Sequence, residues 1–197
     1  MNKNSDLIII RNFAKKHSDL DDIHGFPHVK RVYNLCLEIG EKLNADLKLL
    51  KIATLLHDIG RIYEFKDTQK RNHAEISAEK ALGFLNSRIF NLSQEDIENI
   101  IHCVKAHSFS NKVIPKTLEA KILSDADKLD AIGAIGLYRT IGYTVKNKGG
   151  IEEVIKHLEN KILKLRDLLF LEESKKLAGQ RQKILIDFYK KIKNQVK

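Results

Sequence analysis

Proline is nearly missing from this chain and tryptophan is absent. Two prolines and ten glycines in 197 residues are too few turn formers for a chain of many short strands, so helix is the class to test first. Cysteine is as scarce. Cys36 and Cys103 stand far apart with no CxxC pattern, which argues against a disulfide scaffold and a cysteine zinc site and makes a reducing cytoplasm the expected compartment. Long apolar runs are lacking too. The run Leu7 to Ile10 is too short for a signal-peptide core, and nothing approaches the roughly 18 apolar residues of a membrane span, so no membrane partner is expected. Aromatic residues make up only 7% of the chain, few for a protein that would stack bases along a strand of nucleic acid.

What is present is ordinary for a folded domain: 43% hydrophobic and 31% charged residues, close to globular averages. Length divided by a typical domain size gives about 1.3, hence one domain or a domain with a helical extension. Thirty-five Lys and Arg against 26 Asp and Glu leave +9, a balance that permits attraction to phosphates without proving it.

Apolar spacing marks the elements. Between Pro27 and Leu43, Val29, Val32, Tyr33, Cys36, Ile39 and Leu43 fall on one helix face. Asn44 to Ile59 repeats the pattern through Leu47, Leu50, Ala53 and Leu56 and stops at Gly60, a residue suited to a left-handed helix end. Arg61 to Asn72 is a polar connection, and His73 to Leu85 is helical in composition. Ser93 caps a further helix carrying Ile97, Ile100, Ile101 and Val104, which a loop closes at Asn111 to Pro115. A fifth helix spans Leu118 to Ala134, and Gly149-Gly150 is the strongest break. Beyond it, twelve Lys/Arg and seven Asp/Glu carry +5 of the +9. Apolar residues there (Ile155, Leu158, Ile162, Leu165, Leu169, then Ile184, Phe188, Ile192) predict two packed helices with a wet basic face. The expected class is all-α, with residues 1–150 as a catalytic bundle and 151–197 as a helical extension of the same domain.

Chemistry concentrates at His57-Asp58. Alone, such a pair at a helix end is ordinarily a charge interaction with the helix terminus; an imidazole and a carboxylate there can also share a divalent cation. His28 falls on the apolar stripe of its helix with Val32 and Leu35, pointing inward where an imidazole needs a partner. Asp127 sits among Ile122, Leu123, Ala126 and Leu129, where a carboxylate is costly without a cation or donors.

The order H28, H57-D58, D127, with LLHDIG and DADKLDAIGAIG, resembles the HD-domain superfamily of metal-dependent phosphohydrolases over about the first 145 residues. KHLENKILKL and AGQRQKILIDFY look like the small bacterial HD hydrolases that act on nucleoside triphosphates. The resemblance implies an HD-domain helical bundle in which His28, His57, Asp58 and Asp127 hold one divalent metal. Imidazole plus carboxylate suits Mn²⁺, Fe²⁺, Co²⁺, Ni²⁺ or Zn²⁺, with Mg²⁺ also possible in the family, and Mn²⁺ is the expectation from class. Such an ion can lower the pKa of its water from 15.7 towards roughly 7, so activated water is the expected nucleophile. No GxSxG elbow, Walker loop or catalytic-looking cysteine suggests a covalent route.

His73 in HAEIS and His107 in AHSFS match further family histidines, and with Asp58 form the expected catalytic group, as donors to phosphate or ligands of a second ion. His102 stands five residues before His107, about 140° away on an ideal helix, so the two do not share one ion easily; it and His24 are left unassigned. Arg61, Lys128 and Arg139 are candidates to neutralise substrate phosphates, although each is by default a solvated charge. Asp130, near Asp127 on the same helix face, is a candidate to orient a ligand or a substrate hydroxyl. The expected partner is a small phosphorylated molecule, a nucleoside triphosphate cut to monophosphate and pyrophosphate. The rivals are a 5'-nucleotidase or cyclic-nucleotide phosphodiesterase on the same metal centre, and a basic helical module that binds nucleic acid.

Overall fold

The structure, a computed structural model, describes residues 3–87 and 90–196; Met1, Asn2, Arg88, Ile89 and Lys197 lie outside that description. The described residues form nine α-helices, three 3₁₀ helices and no strand, so the all-α expectation holds. The chain divides into two compact units, Met1–Ser124 and Asp125–Lys197.

In the first unit α1 (Lys3–Lys16), α2 (Phe26–Lys42), α3 (Leu47–Leu56), α4 (His73–Asn86), α5 (Gln94–Ala106) and the start of α6 (Leu118–Asp130) surround one core. The stripe of α2 is buried as expected at Val29, Val32, Leu35, Cys36 and Ile39. Helix α3 is the central element, with Leu49 to Leu56 buried apart from Lys51. It starts three residues later than its periodicity suggested because Asn44 takes φ 53 in the turn from α2, while Asp46 caps the helix by accepting from Lys48 N and Leu49 N. Ser93 caps α5 as expected, within a reciprocal capping box with Asp96.

The run Leu7 to Ile10, too short for a signal-peptide core, belongs to helix α1, where Ile10 and Ala14 are fully buried and Phe13 stacks on Phe84. Two expectations need correcting. The long helix expected over Leu118 to Ala134 is two helices, α6 and α7 (Ala134–Lys146), because Gly133 takes φ 98 between them. Gly60 is not a left-handed stop: its φ is −84. What it supplies is room. A Cβ there would lie 2.4 Å from Ser77 N and 2.5 Å from His73 O, so the turn after α3 presses on the first turns of α4, fastened by Gly60 N donating to Ser77 Oγ at 2.8 Å.

The second unit holds the end of α6, then α7, α8 (Ile151–Asn160) and α9 (Glu172–Gln195). The basic segment does form two α-helices, joined by a 3₁₀ strap over Ile162–Leu168. Val154, Leu158, Ile162, Leu165, Leu169, Ala178 and Leu185 are buried. On α9 the buried position is Leu185, whereas Ile184, placed on the stripe by spacing, is exposed. Asp125 holds the start of α9: its carboxylate accepts from Phe170 N at 2.9 Å and Leu171 N at 2.9 Å, backbone donors that α9 itself cannot satisfy.

Two substitutions test this packing. Gly60→Ala should lower the urea midpoint by an amount worth about 1–3 kcal/mol, the usual cost of overpacking, because the atoms it meets are backbone; an unchanged midpoint would contradict the close approach. Leu158→Ala should cost about 2–5 kcal/mol as a core truncation, and a chain ending at Gly150 should melt lower still. Retention of the full melting temperature by that shortened chain would show α8 and α9 to be an independent arm.

Candidate metal centre

Four imidazoles and one carboxylate meet in the first unit, each delivered by a helix end. His28 lies in the first turn of α2, which Pro27 opens; His57 is the C-terminal cap of α3; His73 is the first residue of α4, capped by Asn72; His107 is the C-terminal cap of α5. His28, His57, Asp58 and His107 are at most 2% exposed and His73 is 8% exposed.

Asp58 is the hub. Its Oδ2 lies 3.7 Å from His28 Nε2 and 3.8 Å from His57 Nε2. Its Oδ1 lies 3.6 Å from His73 Nε2 and 3.5 Å from His107 Nε2. The ring centroids of His57 and His107 are 4.8 Å apart, and those of His73 and His107 5.4 Å. Arg61 closes the circle, donating from Nε to Oδ2 at 2.8 Å, from Nη2 to Oδ1 at 3.1 Å and from Nη2 to His73 Nε2 at 3.1 Å. Burial pushes the Asp58 carboxyl up, but the Arg61 guanidinium and the adjoining imidazoles outweigh it and hold the group well below the usual carboxylate range.

The tautomers follow from what the outer nitrogens touch. His57 Nδ1 lies 2.7 Å from Thr54 O and His107 Nδ1 2.6 Å from Val104 O. A carbonyl only accepts, so each Nδ1 carries a proton, and the neutral form of the ring turns the Nε2 lone pair inward. At His73 the guanidinium can only donate, which makes Nε2 the acceptor and leaves Nδ1–H beside Glu64 Oε1 at 3.5 Å. The four Nε2 atoms lie 3.5–3.8 Å from carboxylate oxygens, longer than the usual hydrogen bond, and in the neutral forms of His57 and His107 lone pair opposes lone pair. His107 Nε2 is buried without a hydrogen-bond partner among the described residues. A cation among these donors removes the opposition, and imidazole with carboxylate is a donor set for a divalent transition metal. Two overlapping trios have ligand atoms within 4.8 Å of one another: His28, His57 and Asp58, and Asp58, His73 and His107.

The structure therefore brings together His28, His57, Asp58, Arg61, His73 and His107. The other expected site residues, Asp127, Lys128, Asp130 and Arg139, belong to the second unit. There Arg139 Nη1 donates to Asp130 Oδ2 at 2.8 Å in a buried pair. Lys128 is buried 5.3 Å from the Phe170 ring, and burial lowers its pKa against the pull of Asp125 and Asp127. His102 accepts from Lys116 N through Nε2 at 2.9 Å, a loop-fastening role, and the His24 ring stands 6.5 Å from that of His28. Burial raises the Cys103 thiol to about 12, which makes it a poor nucleophile. Glu64 went unnoticed in the sequence; the signal available was its spacing of three from Arg61, which on a 3₁₀ turn places both on one face.

Known proteins resemble this chain in sequence and fold. Bacillus subtilis (strain 168) YpgQ is 28% identical over 181 residues, covering 88% of this chain and 84% of its own. The crystal structure of YpgQ in complex with ADP superposes with a TM-score of 0.75 at 26% identity, covering 99% of this chain and 97% of that one. A predicted HD superfamily hydrolase from an uncultured Thermotogales bacterium gives a TM-score of 0.70 at 27% identity over 100% of both chains. Ribonuclease Y of Treponema denticola is 30% identical over 173 residues, 85% of this chain but 31% of that protein. The family model described as HD domain matches residues 25–132, a stretch that holds His28, His57, Asp58, His73, His107 and Asp127. With more than half of its length inside that match, the chain belongs to the HD domain family of metal-dependent phosphohydrolases.

Proposed function

We propose that the chain hydrolyses a nucleoside triphosphate to the monophosphate and pyrophosphate. The observation that carries the reading is the convergence of four imidazole Nε2 atoms within 3.5–3.8 Å of the Asp58 carboxylate, a donor set suited to a divalent cation; the ADP bound to YpgQ supports a nucleotide as the substrate class. In this reading His28, His57 and Asp58 hold the tight ion, with Asp127 as fourth ligand on the sequence pattern. Bound there, a divalent ion supplies an activated water at neutral pH and polarises a phosphoryl oxygen. Mn²⁺ is the first metal to test. His73 and His107 serve the Oδ1 side of Asp58, as ligands of a weaker second ion or, with a second proton on Nε2, as donors to a phosphate oxygen. The Arg61 guanidinium, a planar fork of donors, fits phosphate as well as it fits the carboxylate it grips here. Lys128, Asp130 and Arg139 are kept as substrate contacts, the last two only if their mutual ion pair opens. Among the described residues no helix is long and apolar enough to cross a membrane; the cytoplasm is the compartment we propose, on the scarcity and spacing of the two cysteines. The likeness to ribonuclease Y favours an RNA phosphodiester as the second reading.

Asp58→Ala and His57→Ala should lose the tight ion while remaining folded, read by metal analysis alongside circular dichroism; full occupancy in both variants would falsify the ligand assignment. A screen of nucleoside triphosphates, monophosphates, cyclic nucleotides and short RNA with several divalent metals should find triphosphate turnover with pyrophosphate release, abolished by chelation. His107→Ala should slow turnover about 10²-fold or more, the range for loss of a transition-state donor, with the tight ion still bound. Turnover of monophosphates alone would install the nucleotidase reading, cleavage of RNA alone the nuclease reading, and inertness towards every phosphate ester and anhydride would remove the enzyme reading.

A further inference from the structure

We infer that Glu64 is a positioning residue for His73: bonded to the backbone N–H of His73, its carboxylate stands against the Nδ1 edge of the ring and thereby aims Nε2 at Asp58 Oδ1. The inference begins with the difference between His73 and its neighbours. His57 and His107 end their helices, so each reaches back three residues to a carbonyl of its own last turn, Thr54 O and Val104 O. His73 begins a helix. The free backbone groups at that end are N–H donors, and no carbonyl of its own turn is available to fix Nδ1. The acceptor must come from outside α4, and Glu64 Oε1 fills that place, 3.5 Å from His73 Nδ1 and accepting from His73 N at 3.0 Å.

The element that carries Glu64 is fixed for this task. The 3₁₀ helix Arg61–Lys66 repeats every three residues, so Arg61 and Glu64 project from one face. Arg61 grips Asp58 and donates to His73 Nε2 while Glu64 meets the opposite edge of the same ring. The segment beyond is tied down by Asp67, which accepts from Arg71 N at 2.8 Å and pairs with the Arg71 guanidinium at 2.7 Å. One short turn therefore contacts the hub carboxylate and both edges of one imidazole. Outer carboxylates that fix a ligating histidine in this way typically change metal affinity ten- to a hundredfold when removed.

A helix-capping role alone is the competing account, because the bond from His73 N would exist without any effect on the ring. Two readouts on the full-length protein separate the accounts. Long-range ¹H–¹⁵N correlation on metal-free protein reports the ring tautomer directly: because Arg61 donating to Nε2 also favours a proton on Nδ1, the comparison is made in Arg61→Ala, where Glu64 alone should keep His73 protonated at Nδ1 and added Glu64→Ala should lose that preference. His73 protonated at Nε2 in Arg61→Ala overturns the inference even if the added Glu64→Ala does not fold. Calorimetric titration with Mn²⁺ is the second readout, and it rests on the reading of the Oδ1 side given above. His73→Ala should abolish the weaker binding event, Glu64→Ala should weaken it ten- to a hundredfold, and Glu64→Gln should bind nearly as wild type does. If Glu64→Ala matches wild type while His73→Ala loses the event, Glu64 is a cap and nothing more. If His73→Ala also matches wild type, the second-ion reading falls and the tautomer decides the role of Glu64.

Discussion

The structure of the first unit depends on one buried carboxylate. Asp58 is 2% exposed, and an isolated carboxylate at such a depth would cost several kcal/mol. The fold meets that cost by ending or beginning four helices around it. At two of those ends the arrangement solves a second problem as well. The last carbonyls of α3 and α5 have no helical partner, and His57 and His107 supply one through Nδ1. The bond that finishes the helix is the same bond that fixes the tautomer, so the inward lone pair follows from the way the helix stops. Site geometry and helix termination are one constraint here, which is why substitutions at these histidines bear on local structure as well as on chemistry.

Gly60 shows how closely the elements must approach for this to work. The turn His57 to Gly60 has to bring Asp58 within reach of α4, and the backbone of α4 stands where a Cβ of residue 60 would project. The Ser77 hydroxyl then takes the Gly60 N–H, so the junction is both sterically tight and hydrogen-bonded. In HDIG, the histidine and aspartate carry the donors and the glycine supplies the proximity that places His73 opposite them.

Much of this was readable in the sequence, and the parts that were not share a physical reason. Composition marks α4, and periodicity marks α2, α3 and α5 to within a few residues, because each buries a continuous stripe. It placed His28 inside correctly, since a histidine on an apolar stripe has nowhere else to point. It missed α1, whose polar residues mask a narrow buried line at Ile10 and Ala14, and it ran α6 into α7 because a glycine at φ 98 leaves no trace in hydrophobic spacing. Spacing also put Ile184 on the buried stripe of α9, where Leu185 stands instead: one residue is a rotation of about 100°, and only the facing surface selects between them. The grip of Arg61 on Asp58 and the reach of Glu64 to His73 depend on a 3₁₀ turn inside a segment that reads only as polar.

The surplus of basic charge is best weighed by where its partners are. In the second unit Lys156 lies near Glu152 and Glu153, Lys175 near Glu172, Lys176 near Glu173, and Lys193 bonds to Glu159. These are largely exposed pairs of the kind worth about 0–1 kcal/mol, and they pin most of those ammonium groups to acids a turn away or on the neighbouring helix. A track for a nucleic-acid backbone needs cations arrayed without such local partners, and bases need aromatic platforms to stack on. By this measure Lys156, Lys175, Lys176 and Lys193 belong to a solvated face. On the reading proposed above, discrimination in favour of phosphate falls instead to the buried centre, where Arg61 and a cation among the imidazoles would act at low dielectric and each charge would count for far more than it does on the surface.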